Sequence, residues 1–290
     1  MTTRVHAICL VKNEGDVIAE ILQLASKFCH KIYVFDTGST DNSWEEVQRV
    51  ASDVIIPFRH ENVLKFDFGL RGQVFNAVRD TFEIGDWLYV LDADEVLAES
   101  PHKAIRIAEA EGAQQINTLQ YNFHFTELDW QQHQAGLDSR DRPISERRRY
   151  YCFTNIEQRL FRIEADTTWP EYTDAENPIG YLRPKATKKL KKGSYRIANC
   201  HYQYRDPEQI KLRLVTRQEA RKVNQSNFIH YQSVDTDLNW ERYVVPSKEL
   251  YYYNNDGVFK IRLSEQINLL RWRSQDVLSK MQRRLVPGIK

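Results

Sequence analysis

Asp92 and Asp94 stand one residue apart at the end of an apolar run, Trp87-Leu88-Tyr89-Val90-Leu91, in a chain of 290 residues. If the strand continues through them they point the same way, and if a turn begins there they fan around one point. In either geometry two carboxylates at a strand end repel each other, and a hard divalent cation bridging them to phosphate oxygens removes that cost. Magnesium or manganese suits such a site. An Asp-rich turn capping a helix from Val96 would use the same letters. The strand-like run in front of the pair favours the cation.

The elements that must hold these residues follow from periodicity. Val5 to Val11 is a short, mostly apolar run ending in the turn Lys12-Asn13-Glu14-Gly15. Asp16 is placed to cap a helix whose Ile18, Ile21, Leu22, Ala25 and Phe28 share one face. Lys31 to Phe35 reads as a second strand, followed by Asp36-Thr37-Gly38-Ser39-Thr40-Asp41-Asn42-Ser43, with Ser43 and Glu46 spaced as a capping box. Asp53 to Pro57 reads as a third strand, Gly69 to Phe82 as a helix, and Asp86 to Leu91 as a fourth strand. Strands alternating with helices predict a parallel sheet, whose ligands bind beyond the carboxyl ends of the strands. Glu14, Asp36 and Asp92 would line that edge.

The second half has another texture. Leu119, Tyr121, Phe123 and Phe125 alternate, Gln131 to Arg149 is polar and Arg-rich, and strand-like runs recur near Gln158 to Ile163 and Tyr195 to Tyr204. Asp206-Pro207-Glu208-Gln209 is a helix start with a cap, a proline at the first helical position and a Gln to close the box. Val258 to Leu285 carries a long amphipathic helical pattern with basic residues.

Composition narrows the class. Forty-one Lys and Arg against forty Asp and Glu leave a formal net charge of +1, so no global field draws the chain to nucleic acid, and recognition of a charged ligand has to be local. The cysteines Cys9, Cys29, Cys152 and Cys200 form no C-x-x-C, which argues against zinc or a redox pair and for reduced thiols in a cytoplasmic protein. No apolar run is long enough to span a bilayer, so membrane contact is expected to be peripheral at most, at the inner surface; the basic C-terminal helix could meet anionic lipid there, but packing on the core is the favoured role for it.

Three motifs in order, Val11-Lys12-Asn13-Glu14, Asp36-Thr37-Gly38-Ser39-Thr40-Asp41 and Leu91-Asp92-Ala93-Asp94-Glu95, resemble those of glycosyltransferase family 2 over the first hundred residues. The resemblance implies an α/β GT-A fold, Rossmann-like, with a mostly parallel sheet flanked by helices, a mixed acceptor-side second half and a C-terminal helix. It divides the chain into a nucleotide-sugar-binding part (1–100), an acceptor-side part (101–225) and a helical extension (226–290). It further implies an inverting hexosyltransferase-like enzyme that takes a UDP- or GDP-linked sugar to a saccharide or lipid-linked acceptor, as in polysaccharide biosynthesis.

By the same resemblance Asp36 contacts the base, and Lys12 and Glu14 border base and ribose. Asp94 handles the metal diphosphate, with Asp92 acting directly or through water or ribose. Arg71, in a segment resembling the family's Arg-Asn helix, lies near the sugar or diphosphate, although Asn76 follows it at an unusual spacing. His201, in His-Tyr-Gln-Tyr-Arg-Asp-Pro-Glu-Gln, resembles a histidine that completes the metal site, and an imidazole ligand favours manganese. Asp174 and Glu176 fall in an acidic acceptor-side loop and are candidates for the base that takes the acceptor's proton.

The lysines of Lys185 to Lys192 carry enough charge to clamp a diphosphate or an anionic acceptor, or form a solvated loop. Two rivals compete with the transferase reading. A nucleotidyltransferase would want a Gly-rich phosphate loop that Lys12-Asn13-Glu14-Gly15 does not supply. A non-catalytic nucleotide-sugar or glycan-binding module would keep the site without turnover.

Overall fold

The structure, a computed structural model, describes residues 3–63, 69–171, 184–185, 189–223, 238–262 and 265. In chain order the elements are β1 (Val5–Val11), α1 (Ile18–Ser26), β2 (Lys31–Asp36), α2 (Ser43–Arg49), β3 (Ile55–His60), α3 (Leu70–Ala77), β4 (Trp87–Asp92) and β5 (Glu95–Leu97). There follow α4 (His102–Ala110), β6 (Gln115–His124), α5 (Glu127–Gln134), α6 (Ile144–Arg147), β7 (Tyr150–Arg162), β8 (Lys192–His201), α7 (Pro207–Val223) and β9 (Tyr251–Tyr252).

Among the described residues the strands form one sheet in the order β3-β2-β1-β4-β7-β6-β8-β5, with β9 beside β7. β3, β2, β1 and β4 are parallel. β7 then joins β4 antiparallel, β6 pairs β7 antiparallel and β8 parallel, and β5 closes the far end antiparallel to β8. The expected α/β class, a parallel Rossmann-like half continued by a mixed half, is the one observed.

β1 is central and buried along its whole length, which is why it reads as continuous apolar sequence rather than as alternation. Its odd positions, Val5, Ala7, Cys9 and Val11, pack with Ile18, Ile21 and Leu22 of α1 and Val47 of α2. Ile8 and Leu10 face the opposite layer, with Leu70, Val74 and Phe75 of α3. Each such buried Ile, Leu or Phe contributes roughly 1.5–3 kcal/mol, so the two helical layers pin the strand ends from both sides. In the mixed half the predicted alternation holds only toward the end of β6, where Tyr121 and Phe123 are buried among Tyr151, Tyr202 and Tyr253; Leu119 is half-buried and Gln120 is buried.

Several local expectations need correction. Val96 starts no helix but lies in β5. Asp16 does not cap α1; its carboxylate receives the Arg205 guanidinium at 2.7 Å, a charge-assisted bond that outcompetes a backbone N–H. Ser43 does not close a box with Glu46, because Asp41 Oδ1 accepts its amide at 3.0 Å and Ser43 Oγ serves Glu14. The third strand runs on to His60, and the helix from Leu70 ends at Ala77 before a 3-10 turn at Arg79–Thr81. The polar stretch from Gln131 to Arg149 holds the end of α5 and all of α6.

The start of α7 is as expected, with the Gln209 amide on Asp206 Oδ1 at 3.0 Å, although Gln209 reaches back to the amide of Arg205 rather than of Asp206. Residues 258–262 are not helical, and the rest of the predicted C-terminal helix, residue 265 apart, lies outside the described residues. No helix among the described residues is long and apolar enough to cross a membrane.

Candidate active site

Parallel pairing aligns the carboxyl ends of the strands without further help. Val11 sits opposite Asp36, and Leu10 opposite Asp92, so the turns after β1, β2 and β4 open on one edge. That edge borders a cleft of about 1250 Å³, lined by Lys12, Asn13, Glu14, Arg71, Asp92 and Asp94 from the parallel half and by Arg159, His201, Tyr204, Arg213 and Arg217 from the mixed half.

The first two turns are laced together. Lys12 Nζ donates to the carbonyls of Thr37 (3.1 Å) and Gly38 (2.6 Å), the Asn13 amide donates to Ser39 Oγ (2.9 Å), and the Glu14 amide to Ser43 Oγ (2.8 Å). Asn13 takes a left-handed backbone, φ +59°, which Asn tolerates, and its side-chain oxygen accepts the Thr40 amide at 2.7 Å. A Cβ on Gly15 would come within 2.2 Å of Asn42 Oδ1 and 3.0 Å of the Ser43 amide nitrogen, so a larger residue there would have to displace the exposed Asn42 side chain.

Asp36 is fully buried at the back of this turn. Its Oδ1 accepts the amides of Gly38 (2.9 Å) and Ser39 (2.8 Å) and faces His60 Nδ1 at 3.3 Å. Its Oδ2 is buried and has no hydrogen-bond partner among the described residues. Asp36 does not itself line the cleft, so a ligand N–H would reach this unpaired acceptor only with a shift of the turn.

The two aspartates of the Asp-Ala-Asp turn have different partners. Asp92 pairs with Arg71 of α3 and, at 2.7 Å, with Arg159 of β7. Asp94 Oδ2 lies 3.3 Å from His201 Nε2 and 2.9 Å from Arg213 of α7. The pairing of β5 with β8, which sets Glu95 opposite His201 and bonds the Tyr202 amide to the Asp94 carbonyl at 2.9 Å, brings the histidine there. His201 Nδ1 faces Asn122 Oδ1 at 3.0 Å.

Burial opposes ionisation of both aspartates, but Arg159 and Arg71 around Asp92 outweigh it and lower its pKa, and His201 and Arg213 hold Asp94 well below the usual carboxylate range. For His201, burial works against the charged form, and Asp94 outweighs it and raises the imidazole's pKa. Behind Asp92 lies a buried polar set in which Glu95 takes Arg159 (2.6 Å), Gln120 (2.8 Å) and Asn199 (2.7 Å).

Among the described residues no three His, Cys, Asp or Glu side chains converge closely enough to hold an ion by themselves. Asp94 and His201 offer one carboxylate oxygen and one imidazole nitrogen toward the same space. Such a donor pair fits magnesium or manganese when the remaining ligands come from phosphate oxygens and water.

Lys12, Glu14, Arg71, Asp92, Asp94 and His201 thus meet at one cleft, with Asp36 beneath it. Asp174 and Glu176 lie outside the described residues. Asn76 bonds the Trp169 carbonyl (3.1 Å) and Glu171 (2.8 Å), which ties α3 to the following loop. Of the two readings of the lysine run, the solvated loop fits better: Lys185, Lys189, Lys191 and Lys192 are not among the residues that line the cleft, Lys191 bonds the Glu111 carbonyl, and Lys188 lies outside the described residues. Sequence reasoning missed Arg159, Arg213, Glu95 and Asn122. For Arg213 the available signal was the i, i+4 spacing of Gln209, Arg213 and Arg217 on α7, beside the apolar Ile210 and Leu214.

No family model matches the chain, and no curated protein matches it. Among solved structures it is similar to S. aureus TarS, with 14% identity over 80% of this chain and 69% of that one at a TM-score of 0.38. It is also similar to the mannosyltransferase PcManGT from Pyrobaculum calidifontis in complex with GDP-Man and Mn2+, with 14% identity over 84% and 70% at 0.41. Glucosyl-3-phosphoglycerate synthase from Mycobacterium tuberculosis, in complex with Mn2+, UDP and glucosyl-3-phosphoglycerate, matches at 15% identity over 41% and 44% at 0.29.

Proposed function

We propose that the protein is a glycosyltransferase that moves a sugar from a nucleotide diphosphate sugar to an acceptor hydroxyl, with inversion, and with manganese or magnesium held at Asp94 and His201. The observation that carries this reading is the Asp94–His201 pair, 107 residues apart in sequence and 3.3 Å apart in space, at the edge where the Glu14, Asp36 and Asp92 turns meet.

In this reading a shift of the turn lets Oδ2 of Asp36 accept an N–H of the base, and Lys12 stiffens the wall beside it by holding the Thr37 and Gly38 carbonyls. Arg71, Arg159 and Arg213 bring positive charge to where a diphosphate would lie, with Asp92 orienting the first two. A bound ion would act as a Lewis acid on the leaving diphosphate. Asp174 and Glu176 are the proposed bases for the acceptor hydroxyl, which a saccharide or a lipid-linked saccharide would supply.

Calorimetric titration with UDP and with GDP, each with and without Mn2+, tests the reading. Metal-dependent binding of one nucleotide, lost in Asp94→Ala, is the expected result and selects the donor class. Absence of binding by either nucleotide under every metal condition would remove the reading's support. Binding of a nucleotide sugar without hydrolysis or transfer to any acceptor would instead favour a non-catalytic binding module.

A further inference from the structure

Arg213 holds an unusual place for an arginine at a cation site. From α7 it reaches across the cleft so that one nitrogen, Nη1, donates both to Asp94 Oδ2 at 2.9 Å and to Glu14 Oε1 at 3.0 Å. The same Asp94 oxygen is the one that faces His201 Nε2 at 3.3 Å. A single carboxylate oxygen therefore already serves two groups, and the space where it and the imidazole converge is neutralised by the protein's own cation. Arg213 Nε is buried with no partner among the described residues, so the guanidinium is not fully used where it rests. Arg217, one turn along the same face, lines the cleft too and donates to Tyr204 Oη at 2.9 Å.

Two cations cannot share that oxygen at low cost. A unit charge and a divalent ion about 4 Å apart repel strongly even when partly screened. A divalent ion entering between Asp94 and His201 has to push Arg213 off Asp94. Glu14 alone gives the displaced guanidinium little, because Arg205 already occupies its other oxygen. A diphosphate in the cleft changes the balance by offering Arg213 new acceptors, including one for the idle Nε.

Taking the cleft to be a metal–diphosphate site, as proposed above, we infer that Arg213 is a built-in stand-in cation, which holds Asp94 in the ligand-free protein, weakens metal binding there, and is released to the diphosphate when a nucleotide arrives. Metal and nucleotide then bind cooperatively by a defined route. Removing Arg213 acts with opposite sign on the two: the metal alone binds more tightly, and the nucleotide more weakly. A merely structural arginine would not produce that split.

The test is Mn2+ titration of the full chain followed by electron paramagnetic resonance of the free ion, without nucleotide, with UDP and with GDP. Wild type, Arg213→Gln, Arg213→Lys and Asp94→Asn are compared, each checked by circular dichroism. Arg213→Gln is expected to bind Mn2+ alone at least tenfold more tightly than wild type and to lose at least tenfold of the enhancement that the nucleotide confers. Arg213→Lys, which keeps a cation, is expected to stay weak for Mn2+ alone.

Unchanged or weaker Mn2+ binding in Arg213→Gln, with Asp94-dependent binding intact in wild type, would overturn the stand-in role and leave the site reading standing. Absence of Asp94-dependent Mn2+ binding in every variant and with both nucleotides would overturn the site reading, and the stand-in role with it.

Discussion

Two clusters of buried charge flank the start of α7, and they are finished to different degrees. In the one off the cleft, Arg147 and Arg148 both reach Asp138, at 2.9 and 2.5 Å, while Arg147 and Arg140 both reach Asp206, at 3.1 and 2.7 Å. None of these five side chains leaves a buried polar atom without a partner. In the cleft cluster of Arg71, Arg159, Arg213, Asp92 and Asp94, all three arginines leave a buried Nε without a partner among the described residues. A closed network has recovered its desolvation cost internally, while idle donors beside an open cleft mean that the recovery is left to something else. On that contrast the first cluster is expected to hold the fold, and the second is where the proposed ligand would act.

The largest expected effect comes from opening the closed cluster. Asp206→Ala leaves Arg147 buried with Asp138 alone, frees Arg140, and deletes the cap of α7, so a stability loss of about 3–5 kcal/mol is expected in urea denaturation followed by tryptophan fluorescence. The acid limb of the same experiment carries a sign. Burial would raise the pKa of Asp206 and Asp138, but their arginine hydrogen bonds outweigh it and both are lowered. Their stabilisation is present above the ordinary carboxylate pKa near 3.8 and is lost as pH falls below it. Asp206→Ala should therefore show a flatter acid limb than wild type, and an equally steep one would mean that the cluster does not stabilise the fold.

In the open cluster the loss moves from stability to binding. Asp94→Asn is expected to lower Mn2+-supported nucleotide affinity by about 100-fold or more, roughly 2.7 kcal/mol, while the unfolding free energy falls by less than in Asp206→Ala. The amide oxygen still accepts from Arg213, which keeps Glu14. A loss of stability as large as that of Asp206→Ala would erase the contrast between the clusters.

How legible each region was in the sequence follows from where its partners come from. Glu14, Asp36, Asp92 and Asp94 were readable because each directly follows an apolar strand, and parallel register puts such positions in one row. His201 was reached only through a resemblance, since its proximity to Asp94 depends on β8 pairing with β5. Arg159 gave no local signal, and Arg213 only its spacing with Gln209 and Arg217. Apart from Glu157 beside Arg159, their acidic partners are 64 to 199 residues away, and an arginine in a strand or on a helix face looks the same whether it meets solvent or a buried acid. The misread cap at Asp16 has the same origin, because Arg205, 189 residues on, claims the carboxylate that local reasoning assigned to the helix.

The smallest expected effect probes the join between the halves, at Asn122 on β6. Its Oδ1, 3.0 Å from His201 Nδ1, is an acceptor for an Nδ1–H, while Asp94 Oδ2, 3.3 Å from Nε2, is an acceptor for an Nε2–H, so in a neutral ring Asn122 favours the tautomer that leaves Nε2 free for a metal and Asp94 favours the other. Asn122→Leu removes that preference and lets the ring turn and change tautomer, so a 10- to 100-fold loss of Mn2+ affinity is expected. Asn122→Asp keeps an acceptor and is expected to retain the affinity. Nitrogen-15 chemical shifts of the metal-free histidine separate this from general loosening, because only a positioning role predicts that the Nδ1–H form is depleted in Asn122→Leu and restored in Asn122→Asp. If Asn122→Leu holds Mn2+ as tightly as wild type, the imidazole is fixed by Asp94 alone, and the mixed half supplies the histidine without orienting it.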